Sequence, residues 1–247
     1  MTSVDDELFV LLRQDFNQVA VYSINDYQLL RHLHLPGLQA DYNNDMTSCV
    51  RHKCIYVSDR NDKSIHRYDL ARSITSKWIV DARPYSLSVT PSGNLLVTCY
   101  EPNKLLELSA DNGQCVREIA LQSDIQYLSH GVQLTTGQNV VCHGFMDDLN
   151  RVCIVDDDGR VTRSYGGRSG SDVGQLNYPY HMAVDEDSQF IYVTYRDNDR
   201  VVLLSPTLEF VRYIIEKLSR PNRLHLNHTT RCLYVAQDRG NVVVIQL

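Results

Sequence analysis

The chain has no stretch approaching the roughly 18 uninterrupted apolar residues of a membrane-spanning helix. Its first residues, Met1-Thr2-Ser3-Val4-Asp5-Asp6-Glu7, are acidic where a secretory leader is basic and then apolar. The expectation is a cytoplasmic chain with no membrane partner. None of the 7 cysteines stands in a C-x-x-C pair, and an odd number argues against a disulfide framework. Several lie inside apolar runs, as buried free thiols in a reducing compartment do. There is no Gly-x-Ser-x-Gly and no helical His-Glu-x-x-His. Gly166 to Gly174 is glycine-rich but lacks Gly-Lys-Ser/Thr, which excludes a phosphate loop. Asp156-Asp157-Asp158-Gly159 lacks the ligand spacing and distal Glu of a calcium loop and reads as a solvated turn. No cofactor, no resident metal and no catalytic residue is expected. A net charge of −6 and a pI near 5.8 give no global pull toward nucleic acid.

What is present is a repeat. Phe9-Val10-Leu11-Leu12, Tyr56-Val57-Ser58-Asp59, Leu96-Val97-Thr98-Cys99, Val141-Cys142-His143-Gly144, Tyr192-Val193-Thr194-Tyr195 and Tyr234-Val235-Ala236-Gln237 recur at intervals of about 40 to 50 residues, the length of a propeller blade. Each is followed by a polar stretch and a second apolar run, from Val19-Ala20-Val21-Tyr22 to Val242-Val243-Val244-Ile245. Upstream lies a third element, opening on proline at Pro84, Pro179 and Pro221, where a strand tolerates the missing N–H. A fourth, more polar element closes most units, as at Cys115 to Leu121 and Phe210 to Ile215.

Elements of four to seven residues rich in Val, Ile, Tyr and Thr are too short for helices. Each unit reads as four antiparallel strands, a to d, with b and c apolar on both faces because neighbouring blades cover both. The expected fold class is all-β, a six-bladed β-propeller in one domain over 1–247, with blades at about 1–37, 44–81, 83–122, 128–167, 178–216 and 220–247. The last blade lacks its outer strand. A three-stranded blade and a chain that is a piece of a longer one both fit, and the second is favoured.

Tyr165-Gly166-Gly167-Arg168 leads through Gly174-Gln175-Leu176-Asn177-Tyr178-Pro179 to Met182-Ala183-Val184-Asp185, Ile191-Tyr192-Val193-Thr194 and Asn198-Asp199-Arg200-Val201. This fifth unit closely resembles an NHL repeat, and the other units resemble degenerate copies. The resemblance implies a six-bladed binding module like the one at the carboxyl end of tripartite-motif ubiquitin ligases, where it takes protein or RNA partners. It also touches an amidating lyase. No Cys/His zinc-finger pattern is present, so ligase chemistry cannot reside in these residues.

In a propeller the d–a and b–c connections share one face, and the a–b and c–d connections share the other. Sorted so, the a–b/c–d side collects acids such as Asp5, Asp26, Asp69, Asp111, Asp156 and Asp185. The d–a/b–c side collects Arg13, Arg60, Arg83, Arg151, Arg196, Arg220 and Arg223, diluted by Asp15, Glu101, Asp124, Asp147, Asp148, Asp197, Asp199 and Asp238. With Tyr85, His130, Tyr178, Tyr180 and His181, the residues Arg83, Arg196, Arg220 and Arg223 make the expected partner face. Arginine beside aromatics suits a protein or peptide partner and also suits single-stranded RNA. His130 and His181, with His143 as a third, raise a metal-dependent lyase or hydrolase at the channel mouth, although two imidazoles fall short of a zinc site.

Overall fold

The computed structural model describes residues 1–11, 18–39, 41, 44–145 and 149–247. Leu12 of the first motif and the sorted charges Arg13, Asp15, Asp147 and Asp148 lie outside the described residues. The first sheet is β1 (Thr2–Val4), β2 (Glu7–Leu11), β3 (Gln18–Ser23) and β4 (Leu29–His34); the second is β5 (Met46–Cys49), β6 (Cys54–Asp59), β7 (Ser64–Asp69) and β8 (Ile74–Ile79). The third is β9 (Arg83–Val89), β10 (Leu95–Tyr100), β11 (Lys104–Leu108) and β12 (Cys115–Ala120). The fourth is β13 (Leu128–Gln133), β14 (Asn139–His143), β15 (Asn150–Val155) and β16 (Val161–Gly167); the fifth is β17 (Pro179–Val184), β18 (Ile191–Tyr195), β19 (Arg200–Leu204) and β20 (Phe210–Ile215). The last has three strands, β21 (Pro221–Asn227), β22 (Cys232–Gln237) and β23 (Val242–Gln246). These consecutive meanders are the blades of a six-bladed propeller, as the repeat predicts. No described helix is long and apolar enough to cross a membrane.

Two compact units hold these strands: Met1–Pro102 with Leu106–Arg117, and Asn103–Leu105 with Glu118–Leu247. In the first, Phe9, Val19, Val21, Met46, Ile55 and Val57 pack blade one on blade two. In the second, Val140, Cys142, Val152, Ile191, Val193 and Val202 pack blade four on blade five. In blades one to five strands b and c are largely buried on both faces, which accounts for their unbroken apolar runs; β23 in the last blade is exposed or half-buried along its length. The outer strands are exposed on one side, so β4, β8 and β16 carry polar and charged residues. The Asp156 carboxylate accepts the N–H groups of Asp158 (3.0 Å) and Arg160 (2.8 Å), which makes this segment a self-capped turn.

Strand a enters blades three to six through a β-bulge, with register shifts opposite Pro84/Ser86, Leu128/His130, Pro179/Met182 and Pro221/Arg223. A bulge removes one N–H from the ladder and re-aims the side chains around it. A hydroxyl on strand b takes that N–H in blades three and five. The Ser86 N–H donates to Thr98 Oγ1 at 3.0 Å, and the His181 N–H donates to Thr194 Oγ1 at 2.9 Å. In blade four Cys142 holds the equivalent position, against the His130 N–H, and burial raises its pKa. Buried Thr in an apolar strand is thus explained by the bulge it satisfies.

Candidate functional site

Seven of the nine expected face residues, His130, Tyr178, Tyr180, His181, Arg196, Arg220 and Arg223, belong to the second unit. Its three blades present the same device. A non-glycine residue with positive φ precedes strand a: Tyr127 (φ 52), Tyr178 (φ 54) and Arg220 (φ 47). Such a backbone costs about 1–2 kcal/mol per residue, and it turns each side chain away from the sheet it precedes. The bulge follows at once, so positions two and three after this residue are re-aimed as well. Those positions hold Ser129 and His130, Tyr180 and His181, and Asn222 and Arg223.

The turned residues are joined into one row by the b–c connections. Phe145 lies between Tyr127 (ring centroids 6.0 Å apart) and Tyr178 (4.7 Å). Tyr178 meets Tyr180 edge-on at 5.1 Å. The Arg196 guanidinium covers both rings, at 5.4 Å from Tyr178 and 5.6 Å from Tyr180, and Arg223 lies over the Tyr180 ring at 4.8 Å. Beyond Arg196 the row becomes ionic. Arg196 reaches Asp238 at 2.6 Å, Arg220 reaches Asp197 at 2.9 Å, and Asn222 donates to the second Asp238 oxygen at 2.7 Å. Asp197 and Asp238 together hold the Arg220 pKa above its ordinary value, the hydrogen bond to Asp197 first.

The row is therefore two-sided, with aromatics at one end and an ion-pair network at the other. Tyr127 and Arg220 mark its exposed extremes, at 42% and 51% accessible. Tyr180 and Arg223 are buried beneath it. Asn150, itself buried, anchors the row by accepting the Tyr178 N–H at 2.9 Å.

The histidines sit below. The rings of His130 and His181 meet at 3.7 Å, and His181 Nδ1 accepts the Leu224 N–H at 3.3 Å. That bond leaves the His181 proton on Nε2. His143 is engaged elsewhere: Nδ1 faces the Gln126 carbonyl at 3.2 Å and Nε2 faces Arg151 Nε at 3.2 Å. Burial, then the Arg151 charge, lowers its pKa to about 4. The same burial pushes the Cys153 thiol, 3.7 Å from His143 Nε2, up to about 12, so this pair holds no thiolate.

Arg83 and Tyr85 lie in the first unit, where Arg83 pairs with Glu101 at 3.1 Å and Tyr85 is half-buried. Sequence reasoning placed Asp197 and Asp238 on this side only as diluting charges; they are the partners that fix its arginines. It missed Tyr127 and Phe145. Tyr127 stands three residues before His130 as Tyr178 stands three before His181, a register signal that the repeat contained.

The chain matches no protein-family model, and no curated protein matches its sequence. Solved structures do share its fold. A protein of unknown function from Bacteroides caccae aligns with a TM-score of 0.73 at 16% identity, over 98% of this chain and 90% of that one. Kuenenia stuttgartiensis hydrazine synthase aligns at 0.67 with 15% identity, over 100% and 94%. Virginiamycin B lyase from Staphylococcus aureus aligns at 0.67 with 12% identity, over 99% and 83%.

Proposed function

We propose that this propeller is a non-enzymatic interaction module that binds a peptide or protein segment along the row from Tyr127 to Arg220. The carrying observation is the row's construction: three blades each turn one residue into the left-handed region before strand a, and contacts join these residues into one row. Left-handed residues occur at other turns of the chain as well, such as Tyr27, Lys53 and Leu208; what supports the reading is that those at 127, 178 and 220 hold the same place before strand a and are linked by ring and guanidinium contacts. Aromatic and arginine side chains are the usual energetic anchors of protein interfaces. The resemblance to NHL repeats extends the reading to substrate recognition within a ubiquitin-ligase-like protein. Seven cysteines that form no disulfide suit a reducing compartment such as the cytoplasm.

Single-stranded RNA on the same row is the second reading, supported by the aromatics. The ion pairs weigh against it. Arg196 and Arg220 already face carboxylates, so a phosphate must displace Asp197 or Asp238 to reach them. A metal-assisted reaction at His130 and His181 is the third reading, and one fold neighbour is a lyase. While Leu224 donates to His181 Nδ1, the protonated Nε2 has no lone pair to give a metal.

The test is selection from a displayed library of random 12-residue peptides, followed by fluorescence anisotropy on the winners and on random single-stranded RNA at about 50 and about 200 mM salt. A peptide consensus pairing an aromatic or aliphatic residue with charged ones, weakened about tenfold by Tyr178→Ala, supports the reading. RNA affinity that exceeds peptide affinity and falls steeply with salt favours the second reading. No enrichment, or enrichment indifferent to Tyr178→Ala, overturns the first.

A further inference from the structure

Arg200 opens β19 opposite Tyr195, the last residue of β18, and both are buried, at 8% and 2% exposed. The Arg200 guanidinium rests over the Tyr213 ring, 4.7 Å from its centroid, and stands 5.9 Å from that of Tyr195. Its Nη2 donates to the Ser171 carbonyl. Its Nε is sealed from solvent without a hydrogen-bond partner, and so is the Tyr195 hydroxyl. Among the described residues no carboxylate pairs with Arg200. A buried charge in that state is costly, because neither water nor a counter-charge repays its desolvation.

Blade four shows how the same arrangement is completed. Arg151 stands opposite His143 as Arg200 stands opposite Tyr195. His143 and Tyr195 in turn stand opposite Leu128 and Pro179, each two residues before the strand-a histidine of its blade. In blade four Asp124 supplies the counter-charge, 2.7 Å from Arg151 Nη2. Asp124 lies three residues before the left-handed Tyr127, and three residues before the left-handed Tyr178 stands Gln175. Gln175 is neutral, and its Oε1 accepts the Asp172 N–H at 3.4 Å. Blade five thus has the arginine of blade four and an amide in place of its acid. The glycine-rich segment around Gly170 is tied to this corner: Asn198 Nδ2 donates to the Gly170 carbonyl at 2.8 Å, and the Gly174 N–H donates to the Tyr165 hydroxyl at 2.9 Å.

We infer that Arg200 and Tyr195 form a binding site for a small free carboxylate, which plays the part in blade five that the Asp124 side chain plays in blade four. Its oxygens accept from Arg200 Nε and from the Tyr195 hydroxyl, and the guanidinium makes the first of these bonds charge-assisted. Burial first, and then the neighbouring Tyr165, raise the Tyr195 pKa, so the phenol keeps the proton that it donates. The depth of both donors suits a free small molecule and does not suit a carboxylate carried on a folded partner. The site uses none of the aromatic row's residues and does not rest on the function proposed for that row.

The test titrates sodium acetate into the chain and follows the thermal midpoint, with sodium chloride and sodium phosphate at matched ionic strength as controls. Acetate should raise the midpoint saturably, by about 2 °C or more beyond chloride. Tyr195→Phe keeps the ring and removes one donor; it should weaken the acetate response about tenfold in concentration. Gln175→Glu places an acid where blade four has Asp124, so this variant should melt higher than the unsubstituted chain without acetate and should no longer respond to it. A midpoint that acetate moves no more than chloride does overturns the inference. A response that is unchanged in Tyr195→Phe and Gln175→Glu also overturns it, because acetate then acts elsewhere. Stabilisation by phosphate with none by acetate overturns the assignment to a carboxylate.

Discussion

Tyr178 and Tyr180, separated only by Pro179, meet edge to face with ring centroids 5.1 Å apart. Residues two apart in a regular strand point to the same side, about 6.5 Å apart along the strand. The positive φ of Tyr178 and the bulge after it bring the rings together. The aromatic half of the row is thus a product of backbone geometry.

That origin separates two substitutions at one position. Tyr178→Ala and Tyr178→Gly remove the same ring, but only glycine relieves the left-handed backbone. The glycine variant should be the more stable of the two by about 1 kcal/mol in urea denaturation, and both should lose peptide binding. Equal stabilities argue that φ at 178 is relaxed in solution.

Asp238 ties Arg196, Arg220 and Asn222 together. Asp238→Ala should release the Arg196 guanidinium from its shortest ion pair while Arg220 stays on Asp197, and raise affinity for random single-stranded RNA about twofold or more at low salt, with a steeper salt dependence than the unsubstituted chain shows. Filter binding across a salt series measures this. Unchanged RNA retention would mean that the carboxylate does not control access to the arginines.

Gly37 and Gly159 have the same φ of +75° and opposite surroundings. A Cβ on Gly37 meets nothing within 4 Å, whereas one on Gly159 collides with the Ala120 carbonyl oxygen and crowds Leu121. Gly37→Ala should cost about 1 kcal/mol, the backbone penalty alone, and Gly159→Ala distinctly more. Thermal melts of the two variants compare them directly.

His143 has a folded-state pKa near 4, below the roughly 6.5 of an exposed imidazole. Between those values the unfolded chain binds a proton that the folded chain refuses. Its contribution to stability is whole above about pH 6.5, declines as pH falls, and is gone near pH 4. The slope is at most about 1.4 kcal/mol per pH unit. Half-buried His225, whose pKa desolvation lowers to about 3, adds a slope of the same sign. His143→Gln should therefore flatten, without abolishing, the loss of denaturation free energy between pH 6.5 and 4.

Legibility in the sequence followed burial. Strands b and c announced themselves because two covered faces demand unbroken apolar runs, and the short b–c and c–d turns followed from their Asp, Asn and Gly. Strand a was legible at Pro179 and Pro221, yet the bulge behind each proline was not, because a register shift leaves composition unchanged. Arg60, Arg196 and Arg220 stand on the connections to which they were sorted, whereas Arg83, Arg151 and Arg223 lie inside strands, and all of these charges were read as available. Pairing with Asp197 and Asp238 depends on left-handed turns that no local propensity predicts. Phe145 escaped notice because it lies past the end of its motif, in a connection with no repeat partner of similar chemistry.

Tyr178, Tyr180 and Arg223, at the centre of the row, are held by a strand end, a bulge or a buried side chain such as Asn150. A surface set in this way has little conformational freedom left to lose when a partner arrives, so the ordering cost of association falls almost wholly on the incoming segment. Stiffening that segment should tighten the complex, whereas stiffening the propeller further should not.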